Sequence, residues 1–224
     1  VGGDMKELII IGISKFAELL YFYLNEYGPQ KVAAFAAERD YISLGQIIAG
    51  RPVVALETLE QEFPPEKFDV IMGVGYKGMN QTRRRLFGIC KEKGYHISSF
   101  IHPTAIISPD VVLGEGNIIL EGSLIQPFVR LGDGNLIWYH VNIAQNNTIG
   151  SFNTMAGGTS LSGEVSIANY CFLGNNCTVR NQVNLADFTL IGAGAYIQKD
   201  TSPYDVVVPE HSVWLNGKKS TDFI

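Results

Sequence analysis

The sequence predicts an α/β unit, a small doubly wound parallel sheet over residues 5–100, followed by a parallel β-helix of hexapeptide repeats over 101–200 and a tail over 201–224. Three observations carry this. Short apolar runs that end at glycine alternate with helical patterns through the first hundred residues. From Ile101 the apolar period becomes six, which is neither the period of a strand nor that of a helix. That repeat then runs to Tyr196 without an insertion.

In the first half, Leu8-Ile9-Ile10-Ile11 before Gly12 reads as a buried parallel strand. Ser14 opens a helix through Phe16, Leu19, Leu20, Tyr23 and Leu24, which stops at Gly28-Pro29. Val32-Ala33-Ala34-Phe35 is a second strand, Pro52-Val53-Val54 is extended, and Leu56 to Phe63 has a helical pattern. Asp69 to Val74 is another buried strand ending at Gly75. A helix from about Asn80 to Lys93 turns Leu86, Ile89 and Cys90 inward, with Arg83, Arg84, Arg85, Lys91 and Lys93 expected largely outward. This order implies a doubly wound sheet, whose ligands bind beyond the carboxyl ends of the strands. Those ends carry Gly12-Ile13-Ser14-Lys15, Ala37-Glu38-Arg39-Asp40-Tyr41 and Gly75-Tyr76-Lys77. The first turn has one glycine where a dinucleotide fingerprint needs three, which argues against a nicotinamide or flavin enzyme. Gly12 either makes a tight strand-to-helix turn or opens a phosphate site at the helix start.

Residues 101–196 divide into sixteen hexads, and every first position is Ile, Leu, Val or Met. The fifth position is always small, β-branched or Asn. Each hexad is then one short strand and a turn, with the leading aliphatic inside a three-sided prism and the fifth residue filling a corner. Three hexads close a coil, so residue i stacks on i+18, and one coil cannot bury its own aliphatics without the next.

Composition narrows the function classes. A formal charge of −5 argues against nucleic acid and anionic membrane as partners. No apolar run approaches the roughly 20 residues that span a bilayer. Val1 to Asp4 lack the features of a signal peptide and read as an addition ahead of a natural start at Met5. The three cysteines, Cys90, Cys171 and Cys177, include no C-x-x-C pair and fit free thiols in the cytoplasm. Cys171 and Cys177 share the inward fifth position, which makes them packing residues.

The hexads, together with Ala34 to Tyr41, Gly73 to Asn80 and Ile125-Gln126-Pro127-Phe128, resemble the hexapeptide-repeat sugar acyltransferases with an N-terminal Rossmann-like domain, the group of sialic-acid O-acetyltransferases and amino-sugar-nucleotide N-acetyltransferases. The resemblance covers nearly the whole chain. It implies a left-handed β-helix, a homotrimer, and acetyl-CoA lying between neighbouring prisms as co-substrate. It also implies that the N-terminal unit holds a nucleotide sugar through Ser14, Lys15, Glu38, Gly75 and Tyr76. Asn175, Gly192 and Ala193 would flank the pantetheine, and the stretch from Pro203 would fold over the nucleotide end of the cofactor, with Lys218 or Lys219 near phosphate.

One departure stands out. Members of that group carry a catalytic histidine at the third position of the hexad before an Ile-Gly step, followed by Glu, Asp or a second His. Here the hexad is Ile143-Ala144-Gln145-Asn146-Asn147-Thr148, so Gln145 and Asn146 occupy the two positions. Neither carboxamide accepts a proton near neutral pH. His140, five residues earlier, belongs on an adjacent face; it either contacts substrate across a subunit interface or is a partly exposed structural histidine. His96, His102 and His211 read as structural. No metal is expected, because His102 and His140 are 38 residues apart, not a multiple of 18.

These features favour acetyl transfer to an amine of a nucleotide-linked amino sugar. An amine needs less base assistance than a hydroxyl, and Gln145 or Asn146 would orient it. His140 is a candidate proton acceptor, and backbone N–H groups of Gly157 and Gly158 are candidate oxyanion donors. The alternatives are sugar O-acetylation and a catalytically inactive trimeric binding homologue.

Overall fold

The computed structural model describes residues 6–210 together with 212, 216, 217, 219 and 221. Five strands build the first sheet: β1 (Glu7–Ile11), β2 (Val32–Ala37), β3 (Ile47–Ile48), β4 (Arg51–Ala55) and β5 (Phe68–Met72), in the order β3-β4-β2-β1-β5. All neighbours are parallel except the short β3, which pairs antiparallel with β4. Helix α1 (Lys15–Tyr27) covers one face through Ala17, Leu20 and Leu24 against Leu8, Ile10, Phe35 and Ile71. The short α2 (Leu59–Glu62) and α3 (Gln81–Glu92) cover the other, where Leu59, Leu86 and Cys90 meet Ile9, Ile11, Ala36 and Met72. The sheet is buried on both faces, which explains why its strands read as continuous apolar runs.

One residue of α3 departs from expectation. Arg83 is fully buried, not outward. The buried stripe of α3 is Arg83, Leu86, Phe87 and Cys90, so Arg83 occupies an inward position of the helical period. Its Nη2 donates to the Val74 carbonyl, and its guanidinium lies 5.9 Å from the Phe16 ring centre. Burial pushes its pKa down to about 9.

From Phe100 the chain winds through two-residue strands that pair in parallel with partners 18 residues on, as in Leu124 with Asn142 and Asn142 with Ser160. Three sheets result, stacked as the sides of a prism, an arrangement that fits a left-handed β-helix. The first contains Phe100–Ile101, Ile118–Ile119, Leu136–Ile137, Thr154–Met155, Phe172–Leu173 and Leu190–Ile191. The second runs from Ile106–Ile107 to Tyr196–Ile197, and the third from Val112–Leu113 to Asn184–Leu185. The last described coil is shorter: Val206 pairs with Leu190, 16 residues back.

The core of the prism is the leading aliphatics with Val129, Val141, Val165, Cys171, Cys177 and Val183 of the fifth position. Burial pushes both thiols up to about 11, as expected of inert packing residues. Where the fifth residue is Asn, its carboxamide is spent on the coil next to it. Asn135 Oδ1 accepts the Asn153 N–H at 2.9 Å, and Asn117 Oδ1 accepts the Asn135 N–H at 2.9 Å. The N-terminal unit docks on the outer face of the first sheet, where Phe100, Ile118 and Leu136 share a cluster with α1 and β1.

Candidate active site

The end of β1 shapes the first part of the site. Gly12 has φ +123°, and a Cβ there would stand 2.6 Å from the Gly73 carbonyl oxygen. Glycine is therefore required for this turn to lie against the end of β5. Ser14 is the N-cap of α1 but makes no side-chain cap; its hydroxyl turns to the Gly73 carbonyl at 3.4 Å. The first-turn N–H groups are thus left without a side-chain acceptor.

Beyond these strand ends lies a cavity of about 800 Å³, whose lining includes Ser14, Glu38, Gly75, Tyr76 and Arg85. Four of the five residues expected at a nucleotide-sugar site share this cavity. Lys15 does not line it: its Nζ points to solvent and pairs with Glu18 at 2.8 Å. Arg85 is the residue that sequence reasoning missed. Its guanidinium holds Glu38 through two bonds of 2.8 Å and keeps that carboxyl below the usual range. The charge run at 83–85 hides this, because one arginine is buried, one lines the cavity and Arg84 is exposed.

Helix α1 and the loop after β5 hold the cavity against the β-helix. Tyr27 packs on His102 (4.6 Å between ring centres), the Tyr23 hydroxyl donates to the Glu121 carboxylate at 2.9 Å, and Phe16 packs on Trp138 at 5.6 Å. Burial, then the Glu121 bond, pushes the Tyr23 hydroxyl up to about 12. The helix therefore climbs coil by coil toward its N-terminus. At the top, Tyr76 meets Phe172 at 5.0 Å, and the Thr154 hydroxyl donates to Asn80 Oδ1 at 2.8 Å.

The remaining site residues fall on two different corners. The corner between the first and second sheets carries His140, Gly157, Gly158, Asn175, Gly192 and Ala193 in successive coils. His140 is exposed, has φ +54°, and its ring lies over Gly122 of the coil before. The Gly158 N–H donates to the Tyr139 carbonyl at 3.1 Å, so it is not a free oxyanion donor. That corrects the expectation for this group: the stack of coils consumes it.

Gln145 and Asn146 are exposed on the corner between the second and third sheets, the one opposite the docked face. The Gln145 N–H donates to Gln126 Oε1 at 3.2 Å, and its carboxamide lies across Gly163 of the next coil. Within one chain, neither His140 nor the cavity is on their corner. Higher on the same corner, Arg180 and Lys199 line a cavity of about 470 Å³. Lys218 lies outside the described residues, as does His211. Among the described residues no group of three His, Cys, Asp or Glu can hold a metal ion, and no helix is long and apolar enough to cross a membrane.

No protein-family model matches the chain, and no curated protein matches it in sequence. Solved structures do match. The acetyltransferase domain of PglB from Neisseria gonorrhoeae aligns with a TM-score of 0.80 at 23% identity, over 92% of this chain and 97% of that one. WeeI from Acinetobacter baumannii aligns at 0.73 and 20% identity, over 92% and 97%. Both are likenesses of fold. Perosamine N-acetyltransferase from Caulobacter crescentus aligns at 0.81 and 25% identity over 92% and 94%, in a complex with CoA and GDP-perosamine. The chain thus shares a fold with acetyltransferases over 92% of its length.

Proposed function

We propose that the chain transfers an acetyl group from acetyl-CoA to the amino group of a nucleotide-linked amino sugar, as a homotrimer of left-handed β-helices. The observation that carries this is the cavity at the strand ends, whose lining residue Tyr76 packs on Phe172 of the β-helix. Anions favour the uncapped start of α1, so the diphosphate belongs at Ser14. The Glu38–Arg85 pair then faces the nucleoside, and Tyr76 the sugar. The Caulobacter enzyme, with the same fold, acts on a GDP-linked sugar.

A separate corner supports the cofactor. Arg180 and Lys199 stand two and three coils above Gln145, roughly 10 and 14 Å at ordinary strand spacing. That run suits an extended pantetheine with its thioester at Gln145 and its phosphates at the cations. Asn175, Gly192 and Ala193 would flank it from a neighbouring prism. Because the nucleotide cavity and the Gln145 corner lie on opposite sides of one prism, a complete site needs two chains. Positioning of a reactive thioester against an amine then supplies much of the rate.

The direct test is thiol release from acetyl-CoA with GDP-perosamine and a panel of UDP-linked amino and hydroxy sugars. Release with an amino sugar and none with its hydroxy counterpart is the expected result. Acetyl-CoA binding with no release from any acceptor would favour the inactive binding homologue instead. Ser14→Asp gives a sharper test of the acceptor site. Aspartate is a good N-cap, so the melting temperature should hold or rise. Its charge repels phosphate, so acceptor binding by calorimetry should weaken on the order of 100-fold.

A further inference from the structure

We propose that Glu164 is the proton acceptor of this transfer, one coil above the position where the expected base is missing. The inference rests on the acetyl-transfer reading. Three carboxylates stand on the turns of the Gln145 corner: Asp110, Glu164 and Asp200. Two of them are committed to holding the coil. Asp110 accepts from the Ser108 hydroxyl and the Phe128 N–H, both at 2.5 Å. Asp200 accepts the Asn184 N–H at 2.7 Å and the Asn184 Nδ2 at 3.2 Å.

Glu164 is different. It is exposed, and Gln182 Nε2 donates to its Oε2 at 3.0 Å, leaving Oε1 with no hydrogen bond among the described residues. Its own N–H donates to the Gln145 carbonyl at 3.1 Å, which fixes the two residues to each other. Between them lies Gly163, where a Cβ would come within 2.6 Å of Gln145 Nε2. The absence of a side chain there lets the carboxamide lie along the corner toward Glu164. The corner therefore presents N–H donors and a carboxylate acceptor in adjacent coils, about 4.8 Å apart.

The roles follow from this chemistry. Gln145 Nε2 donates to the thioester carbonyl oxygen. The neutral amine nitrogen forms a bond to the carbonyl carbon, and Glu164 takes the N–H proton as it does so. The C–S bond breaks, the sulfur leaves as thiolate, and the proton passes from Glu164 to that sulfur. The products are the amide and CoA thiol, with the carboxylate regenerated. Gln182 holds one oxygen so that the other faces the amine.

Glu164→Gln keeps size and the Gln182 contact while removing the base. With acetyl-CoA and the acceptor that the wild-type chain turns over best, kcat should fall 10²- to 10⁴-fold, while calorimetric binding of CoA and of acceptor stays within about threefold. In Glu164→Ala, added formate should restore turnover in proportion to its concentration, which a structural role would not produce. Turnover of Glu164→Gln within threefold of wild type, or loss of CoA binding with it, overturns the assignment alone. A wild-type chain that binds CoA but releases no thiol with any acceptor overturns the acetyl-transfer reading, and the assignment with it.

Discussion

Asn135→Ala is expected to destabilise the protein by about 3 kcal/mol, because it strips a buried polar ladder of a central rung. Asn135 is fully buried, and its Nδ2 donates to the Gly132 and Gly150 carbonyls at 3.1 and 3.0 Å. Its Oδ1 accepts the Asn153 N–H from the next coil. Alanine leaves that N–H and the Gly150 carbonyl short of partners where water does not reach, while the Gly132 carbonyl keeps its bond from Asn117 Nδ2 at 2.9 Å. Each group so stranded costs roughly 1–3 kcal/mol. A drop of roughly 6–12 °C in melting temperature should follow for a chain of this size. Asn142→Ala, on the exposed outer face of the second sheet, should stay within about 0.5 kcal/mol. Equal effects at the two positions would mean that the ladder does not hold the coils together. Asn135→Asp should also destabilise: it keeps the acceptor but loses both donors and buries a charge.

The same ladder shows how much of the fold the sequence made legible. A repeat of six with three hexads to a coil leaves one register, and the observed pairs 18 apart follow from it. The inward role of the fifth position was legible too, because only small, β-branched or amide side chains occur there. Periodicity says nothing of what stands outside the prism. It could not reveal that the outer residues of the first sheet are covered by α1, nor that Arg83 faces that junction with Val74 and Phe16 as its neighbours. A run of three arginines looks like a solvated face, and separating them needs the helix phase to within one residue. The cavity residues Ser14, Glu38, Gly75 and Tyr76 were legible because strand ends in a doubly wound sheet converge. Arg85 was not, because it arrives from a helix whose angle only packing decides. The corners were the hardest part. Five residues separate His140 from Gln145, and that distance crosses one side of the prism.

That separation makes a mixing experiment decisive for how the site is assembled. Ser14→Asp impairs the cavity, and Gly163→Leu displaces the Gln145 carboxamide from its place across Gly163, on a backbone that is not left-handed there. Each variant alone should retain on the order of a hundredth of wild-type thiol release at subsaturating acceptor. Co-expressed in equal amounts, they should recover about a quarter of it, since a site between neighbours draws an intact cavity from one chain and an intact corner from the next, each with even odds. A site contained in one chain predicts no recovery, because every chain then carries one defect. The geometry favours recovery: the first sheet, with the N-terminal unit on its outer face, stands between the cavity and the opposite corner, and the interior is filled by Ile143, Leu161, Val165 and their neighbours. No side chain reaches through that core. In the proposed reading, an acceptor held at Ser14 and Tyr76 would meet the Gln145 corner only when a second prism brings it there.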